Sequence, residues 1–142
     1  MKLIILFFLF FNLASYSDVF EKSYAIVTNI KTNLIWQDNI EVTQYTEDFT
    51  MANVFCENLI LNNYTHWELP TIKELHSIID IDNKNKTINK KFKYVKPVIY
   101  WSKTQDVKDT NILWLVDFKT AKTLKSKTDE KYQVRCVKRL EK

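Results

Sequence analysis

Residues 66–75 read HWELPTIKEL, and they place the end of an extended segment directly before the start of a helix. Trp67 and Leu69 alternate with polar neighbours, as they do when one face of an extended segment points toward a core. The proline after Leu69 disfavours helical backbone at that leucine. Thr71 and Glu74 form the T-x-x-E pattern of a capping box, which predicts that a helix begins here. We therefore expect the chain on either side to fold back onto this stretch.

The composition indicates a single domain held together by large side chains. A chain of 142 residues fits one domain, and its 46% hydrophobic and 14% aromatic residues can form a sizeable core. Glycine is absent, so turns that need positive φ depend on residues such as Asn33. The absence of glycine also excludes collagen-like repeats, Gly-rich linkers and phosphate-binding P-loops.

The N-terminus has the pattern of a secretory signal peptide over residues 1–17, which leaves a mature domain over 18–142. Lys2 provides the positive charge, residues 3–11 are apolar, and residues 15–17 offer small residues for cleavage. The alternative is a transmembrane anchor, but the apolar run is about half of the roughly 20 residues that a span needs. We expect an exported protein, periplasmic, surface-located or secreted, with no membrane span after cleavage.

The chain is mildly basic, and its positive charge is carried mostly by lysine. The formal net charge is +4, and removal of residues 1–17 takes away one lysine and no acid, leaving +3. Only Arg135 and Arg139 are arginines. Lysine ammonium groups act as point charges rather than as bidentate donors. A charge this small, in an exported chain, does not indicate a nucleic-acid partner.

Cys56 and Cys136 are the only cysteines, which in an exported chain predicts one disulfide. It would close a loop of about 80 residues and stabilise the fold by roughly 4 kcal/mol in the chain-entropy account. Two buried free thiols are the alternative. The two histidines, His66 and His76, show no metal-ligand spacing to either cysteine, so we predict neither metal nor cofactor.

A hairpin and a first helix are predicted before the opening stretch. Residues 24–28 and 34–37 are β-rich and flank a turn at Asn33. Asp48 is a good N-cap for a helix that continues to about residue 61. Its apolar side chains recur at helical spacing and place Cys56 on the buried face, with Ala52, Phe55 and Leu59.

After the opening stretch we predict a second helix to about residue 80, a long Lys- and Asn-rich loop, and several strands. The loop covers residues 81–96, and the strands cover residues 99–102, 112–118, 121–125 and 132–138. This order predicts an α+β domain with an antiparallel sheet, two helices and a long loop. The disulfide would join the first helix to the last strand.

Five ordered motifs resemble the Lcl C-terminal domain-like family, a bacterial family without an established function. They lie at residues 32–37, 55–59, 67–75, 100–102 and 134–137, and the resemblance covers about residues 20–139. It implies a C-type-lectin-like fold, shared with formylglycine-generating enzymes, in which a disulfide joins the first helix to the last strand.

Two positions depart from the family pattern. Asn33 replaces the family's turn glycine, which is tolerable because Asn also accepts positive φ. Glu68 replaces the family's arginine, which reverses the charge. We predict that Glu68 pairs with Arg135 or with a nearby lysine.

No combination of residues indicates an enzyme. Glu68, Glu74 and Asp80 are close in sequence, but Glu74 is already assigned to the capping box. Ser77 or Ser102 beside a histidine would lack the glycine of a nucleophile elbow. The cysteine chemistry of formylglycine-generating enzymes is not transferred, because both cysteines are predicted to be structural. The sequence DIDNKN at 80–85 resembles an EF-hand start but lacks its glycine and closing glutamate, so we predict no calcium site.

The candidate ligand surface is the lysine-rich loop. Its six lysines are Lys84, Lys86, Lys90, Lys91, Lys93 and Lys96. A second basic run follows at Lys119, Lys122, Lys125, Lys127 and Lys131. Some members of the resembled family occur in adhesins and are associated with sulfated glycans, and lysines attract such anions. The alternative is a solvated face. The four tryptophans are interpreted as core rather than as platforms for sugars.

We therefore predict an exported, non-enzymatic binding or adhesion module for an anionic glycan or an envelope protein. The alternative is a structural or assembly component of an envelope complex that binds no small ligand.

Overall fold

The computed structural model describes residues 19–141, so the signal peptide predicted over residues 1–17 lies outside the described part. Within that part there are nine strands and three short helices. The helices are α1 (Glu41–Gln44), α2 (Phe49–Asn58) and α3 (Ile72–Ser77). The strands are β1 (Phe20–Ser23), β2 (Ile26–Asn29), β3 (Leu34–Gln37), β4 (Thr46–Glu47), β5 (Ile99–Gln105), β6 (Ile112–Asp117), β7 (Lys122–Lys127), β8 (Tyr132–Gln133) and β9 (Val137–Arg139).

The strands form two sheets, where one antiparallel sheet was predicted. The first has the order β1-β2-β3-β9, and all of its pairs are antiparallel. The second has the order β4-β8-β5-β6-β7, and its only parallel contact joins Tyr100 to Gln133. No described helix is both long and apolar enough to cross a membrane. The α+β class is confirmed.

The last predicted strand is broken, and its two halves lie in different sheets. Residues 134–136 leave the ladder because other groups take their backbone bonds. The N–H of Cys136 donates to the Gln37 side-chain oxygen at 3.1 Å, and its carbonyl accepts from the Gln37 N–H at 3.0 Å. The N–H of Val134 donates to the Tyr45 carbonyl at 3.3 Å. The chain therefore crosses from the second sheet to the first at this point.

Both predicted helices begin where their caps indicated and end early. Asp48 accepts from the N–H of Met51 at 2.9 Å and starts α2. Thr71 accepts from the N–H of Glu74 at 3.1 Å, and Glu74 accepts from the N–H of Thr71 at 2.8 Å, which confirms the capping box. Helix α2 stops at Asn58 because Leu59 is extended, with ψ 128°. The single turn α1 was not predicted.

The opening stretch lies between the two sheets. Glu68 exchanges backbone hydrogen bonds with Val137 of β9 at 2.8 and 2.9 Å. The Pro70 carbonyl accepts from the N–H of Lys103 in β5 at 2.8 Å. Trp67 and Leu69 are buried, as their alternation predicted. Residues 67–70 thus connect the first sheet to the second, immediately before α3.

The tryptophans and cysteines belong largely to the core. Trp36, Trp67 and Trp101 are buried, which confirms that they pack rather than form exposed platforms, whereas Trp114 is half-buried. Cys56 and Cys136 are bonded, with 5.5 Å between their Cα atoms, and both are fully buried. The predicted disulfide is confirmed, and it joins α2 to the segment just before β9.

Candidate binding surfaces

The lysine-rich loop is held to the core by two apolar side chains. Ile88 and Phe92 are buried among the lysines, and Ile88 pairs with Ile79 in an isolated bridge. The Thr87 N–H donates to the Phe118 carbonyl at 2.9 Å. The sequence showed these apolar residues but no regular period that would have placed them.

A buried charge pair fixes the end of this loop. Asp38 accepts from the backbone N–H groups of Lys93 and Tyr94, each at 2.9 Å. Arg135 donates to the carbonyls of Gln37, at 2.6 Å, and of Tyr94, and it lies 3.4 Å from the Asp38 carboxylate. Both charged side chains are fully buried.

Aromatic rings enclose the Arg135 guanidinium, which lies 4.9 Å from the Phe92 ring centre and 5.8 Å from that of Tyr100. Burial lowers the pKa of Arg135, and the nearby Tyr100 opposes that shift. Lys22 of β1 contacts the same Asp38 carboxylate from the surface. Desolvation, followed by the positive charges of Arg135 and Lys93, lowers the pKa of Lys22.

The predicted pairing of Glu68 with Arg135 or a nearby lysine is confirmed for the lysine. The Glu68 carboxylate contacts Lys103 and lies 3.0 Å from the Arg139 guanidinium. Arg135 is not a partner, because its side chain points into the core toward Asp38. Arg139 also holds Glu74, at 2.7 and 2.8 Å. The hydrogen bond from Lys103 is the main cause of the lowered pKa of Glu68.

The six loop lysines do not form one patch. Lys84, Lys90, Lys93 and Lys96 are exposed, while Lys86 and Lys91 are half-buried. Three of them line three different hollows: Lys90 lies beside Asp80 and Asp82, Lys93 beside Tyr24, and Lys96 beside Lys119. The sequence run therefore spreads around the molecule when it folds.

One hollow brings lysines from both predicted basic runs together. Its volume is about 360 Å³, and we call it the basic cleft, defined by Lys96, Lys119 and Lys131. Lys96 ends the long loop, Lys119 lies in the β6–β7 turn, and Lys131 precedes β8. Apolar side chains form part of its wall, namely Pro97, Val98 and Ile99.

The acidic side chains near the basic cleft already form hydrogen bonds or ion pairs within the protein. Asp117 accepts from the N–H of Lys119 at 2.8 Å and from the Thr120 hydroxyl at 3.0 Å, so it closes the turn. Glu47 lies 3.3 Å from the Lys131 ammonium group. Asp117 is the one acid among the cleft's lining residues, against three lysines. The lining therefore carries a net positive charge and can attract an anion.

A second hollow has a different chemistry and a volume of about 370 Å³. We call it the tyrosine hollow, defined by Tyr24, Ile40 and Tyr94 with Lys22, Asn39 and Lys93 at its sides. Tyr24 was predicted to begin the strand at residues 24–28. It lies instead in the β1–β2 turn and is 86% exposed.

Among the residues considered for catalysis, Glu68 and Glu74 meet at the Arg139 guanidinium, whereas the two serine hydroxyls are engaged by backbone carbonyls. Ser102 is buried and donates to the Trp114 carbonyl at 2.6 Å, and Ser77 donates to the Glu74 carbonyl at 2.6 Å. His76 lies 2.7 Å from the Thr123 hydroxyl. Across residues 19–141, no group of three or more His, Cys, Asp or Glu side chains is arranged to hold a metal ion.

The sequence model of the Lcl C-terminal domain matches residues 25–138, which confirms the resemblance drawn from the five motifs. No curated protein matches the chain.

Proposed function

The chain belongs to the Lcl C-terminal domain family, and we propose that it is a non-enzymatic binding module for anionic glycans. The observation that supports this proposal is the basic cleft, where lysines distant in sequence converge on one hollow with apolar walls. A sulfate or carboxylate group of a sugar is attracted to such a cluster of ammonium groups. The sugar ring can pack against the apolar wall.

The cleft suits a flexible polyanion better than a single tightly held ion. Its lysines are exposed, and each exposed ion pair contributes little by itself, typically below about 1 kcal/mol. Several such contacts along one glycan chain add up. Because lysines are compact point charges, they tolerate different sulfate positions. Binding of this type weakens as salt increases.

We also propose that the α+β fold is of the C-type-lectin-like type. Three features support this: the disulfide joins the main helix to the segment before the last strand, strands near both ends of the described chain meet in one sheet, and a long loop follows α3. Export is likewise a proposal, and the buried disulfide supports it because such bonds persist in oxidising compartments.

Retention on immobilised heparin tests the binding proposal. The double variant Lys96→Gln/Lys119→Gln removes two charges from the cleft. The matched control Lys84→Gln/Lys108→Gln removes two exposed charges that do not line it. At about 0.7 kcal/mol per contact, the cleft variant loses roughly tenfold in affinity and elutes at lower salt.

Three results would count against the proposal. The unmodified domain over residues 18–142 could pass through the column at low salt. The two double variants could lose retention equally, which would mean that net charge alone governs binding. Stoichiometric co-purification with an envelope protein, without retention on heparin, would favour the assembly role instead.

A further inference from the structure

The tyrosine hollow shares no lining residue with the basic cleft and has a different character. We propose that it is a second binding site, which takes the ring of a neutral sugar. Its volume of about 370 Å³ is near the lower end of the range for small-molecule pockets, so the ligand is one or two rings rather than a long chain.

The hollow is preorganised by the buried charge pair. The Asp38 carboxylate accepts from the backbone N–H of Tyr94 at 2.9 Å, and the backbone N–H of Asp38 donates to the Ala25 carbonyl at 2.8 Å. The Asn62 side chain donates to the Tyr24 carbonyl. The backbone of both tyrosines is therefore held by contacts to the rest of the fold. A preformed site loses less conformational freedom on binding than a mobile one.

The turn that carries Tyr24 is held in an unfavourable conformation. Ala25 has φ 60°, a region that costs a non-glycine residue about 1 kcal/mol and persists only where neighbouring contacts impose it. The same turn leaves the Tyr24 ring 86% exposed, and Ile40 beside it is 50% exposed. Large apolar groups gathered around a concave surface are typical of a ligand site.

The charges around the hollow already have partners within the protein. Lys22 contacts Asp38, and Glu41 accepts from the Asn39 side chain at 3.1 Å. The Lys93 ammonium lies 5.2 Å from the ring centre of Tyr94. The lining has two lysines against one glutamate, and Lys22 also contacts Asp38, so the hollow attracts an anion less strongly than the basic cleft, which has three lysines against one aspartate. The tyrosine hollow offers an aromatic face, an apolar neighbour and polar groups at the rim, which match the apolar face and hydroxyl edge of a pyranose ring.

The test is a titration of the ¹⁵N-labelled domain over residues 18–142 with three neutral disaccharides: cellobiose, maltose and N,N′-diacetylchitobiose. At least one should shift the amides of Tyr24, Ala25 and Tyr94 saturably, with a Kd on the order of 1 mM. Tyr24→Ala should raise that Kd about tenfold, while Tyr24→Phe, which keeps the ring, should leave it unchanged. Tyr24 is exposed enough for both variants to fold.

Two controls separate this site from the basic cleft. Val107→Ala, at a side chain that is 97% exposed and outside the hollow, should not change the titration. Lys96→Gln/Lys119→Gln should also leave it unchanged, so a failure of the anionic-glycan proposal would not affect this one. The inference is overturned if none of the three disaccharides shifts these amides at about 10 mM. It is equally overturned if the shifts persist in Tyr24→Ala, or if only a sulfated disaccharide or a Tyr-containing tripeptide produces them.

Discussion

Removing the Asp38 carboxylate should destabilise the domain more than any other single change to a charged side chain. Asp38 is fully buried and has four partners: the Arg135 guanidinium, the Lys22 ammonium and the backbone N–H groups of Lys93 and Tyr94. In Asp38→Ala, Arg135 stays buried without its counter-charge and both N–H groups lose their acceptor. Breaking a buried ion pair in this way costs about 4 kcal/mol.

The size of this loss makes it easy to measure. A domain typically has 5–15 kcal/mol of stability, so a loss of about 4 kcal/mol is a large fraction. Urea unfolding of the oxidised domain can be followed by the fluorescence of Trp36, Trp67 and Trp101, which are buried. Asp38→Asn also removes the charge but keeps one acceptor oxygen for one of the two N–H groups, so it should lose about 1 kcal/mol less than Asp38→Ala.

The control is Asp129→Ala, at an exposed aspartate in the turn before β8, which should stay within about 0.5 kcal/mol of the unmodified domain. Hydrogen exchange adds a local test. In Asp38→Asn, the amides of Lys93 and Tyr94 should exchange faster than in the unmodified domain, and this increase should exceed that of the β6 amides. A loss below about 1 kcal/mol for Asp38→Ala would refute the view that the buried pair holds the loop.

Three further predictions concern the elements around this pair. Replacing Cys56 and Cys136 together by alanine should reduce the free energy of unfolding by roughly 4 kcal/mol, since the disulfide closes a loop that spans 80 residues. An unchanged urea midpoint would contradict this, because the unfolded chain would then gain no conformational entropy when the disulfide is removed. Thr71→Ala should lose about 1 kcal/mol by removing the cap of α3, and Thr71→Ser should restore most of it. Glu68 has a lowered pKa in the folded protein, so its contribution is present above the unfolded pKa and is lost as pH falls through the folded value. Because Glu68 is half exposed, this contribution is less than about 1 kcal/mol. The Glu68→Gln variant should therefore lose less stability on acidification than the unmodified domain, by up to that amount. A variant that loses more stability than the unmodified domain would contradict this.

The features that were predictable from sequence are local. The capping box needs only Thr71 and Glu74, and the turn at Asn33 has the positive φ, 55°, that asparagine accepts. The disulfide was predictable because two cysteines allow one pairing. Each of these features depends on residues whose identity or spacing can be read from the sequence, without knowledge of the contacts between distant segments.

The features that were missed depend on contacts between distant segments. The last strand breaks because the Gln37 side chain, 99 residues away, takes the N–H of Cys136. Arg135 was one of two expected partners of Glu68, but it lies inside the core against the Asp38 carboxylate. The basic cleft combines Lys96 with lysines of the second run, which sequence spacing alone cannot show. Surface clusters of this kind become visible only once the topology is known.

We propose that anionic glycans bind at the basic cleft and not along the lysine run as a whole. The most direct measurement is a chemical-shift map of the labelled domain over residues 18–142 titrated with a heparin-derived tetrasaccharide. The largest shifts should occur at Lys96, Lys119 and Lys131, and they should decrease as salt increases. Shifts centred on residues 84–91, or on Lys122–Lys127 of β7, would contradict it, as would a spectrum that does not change.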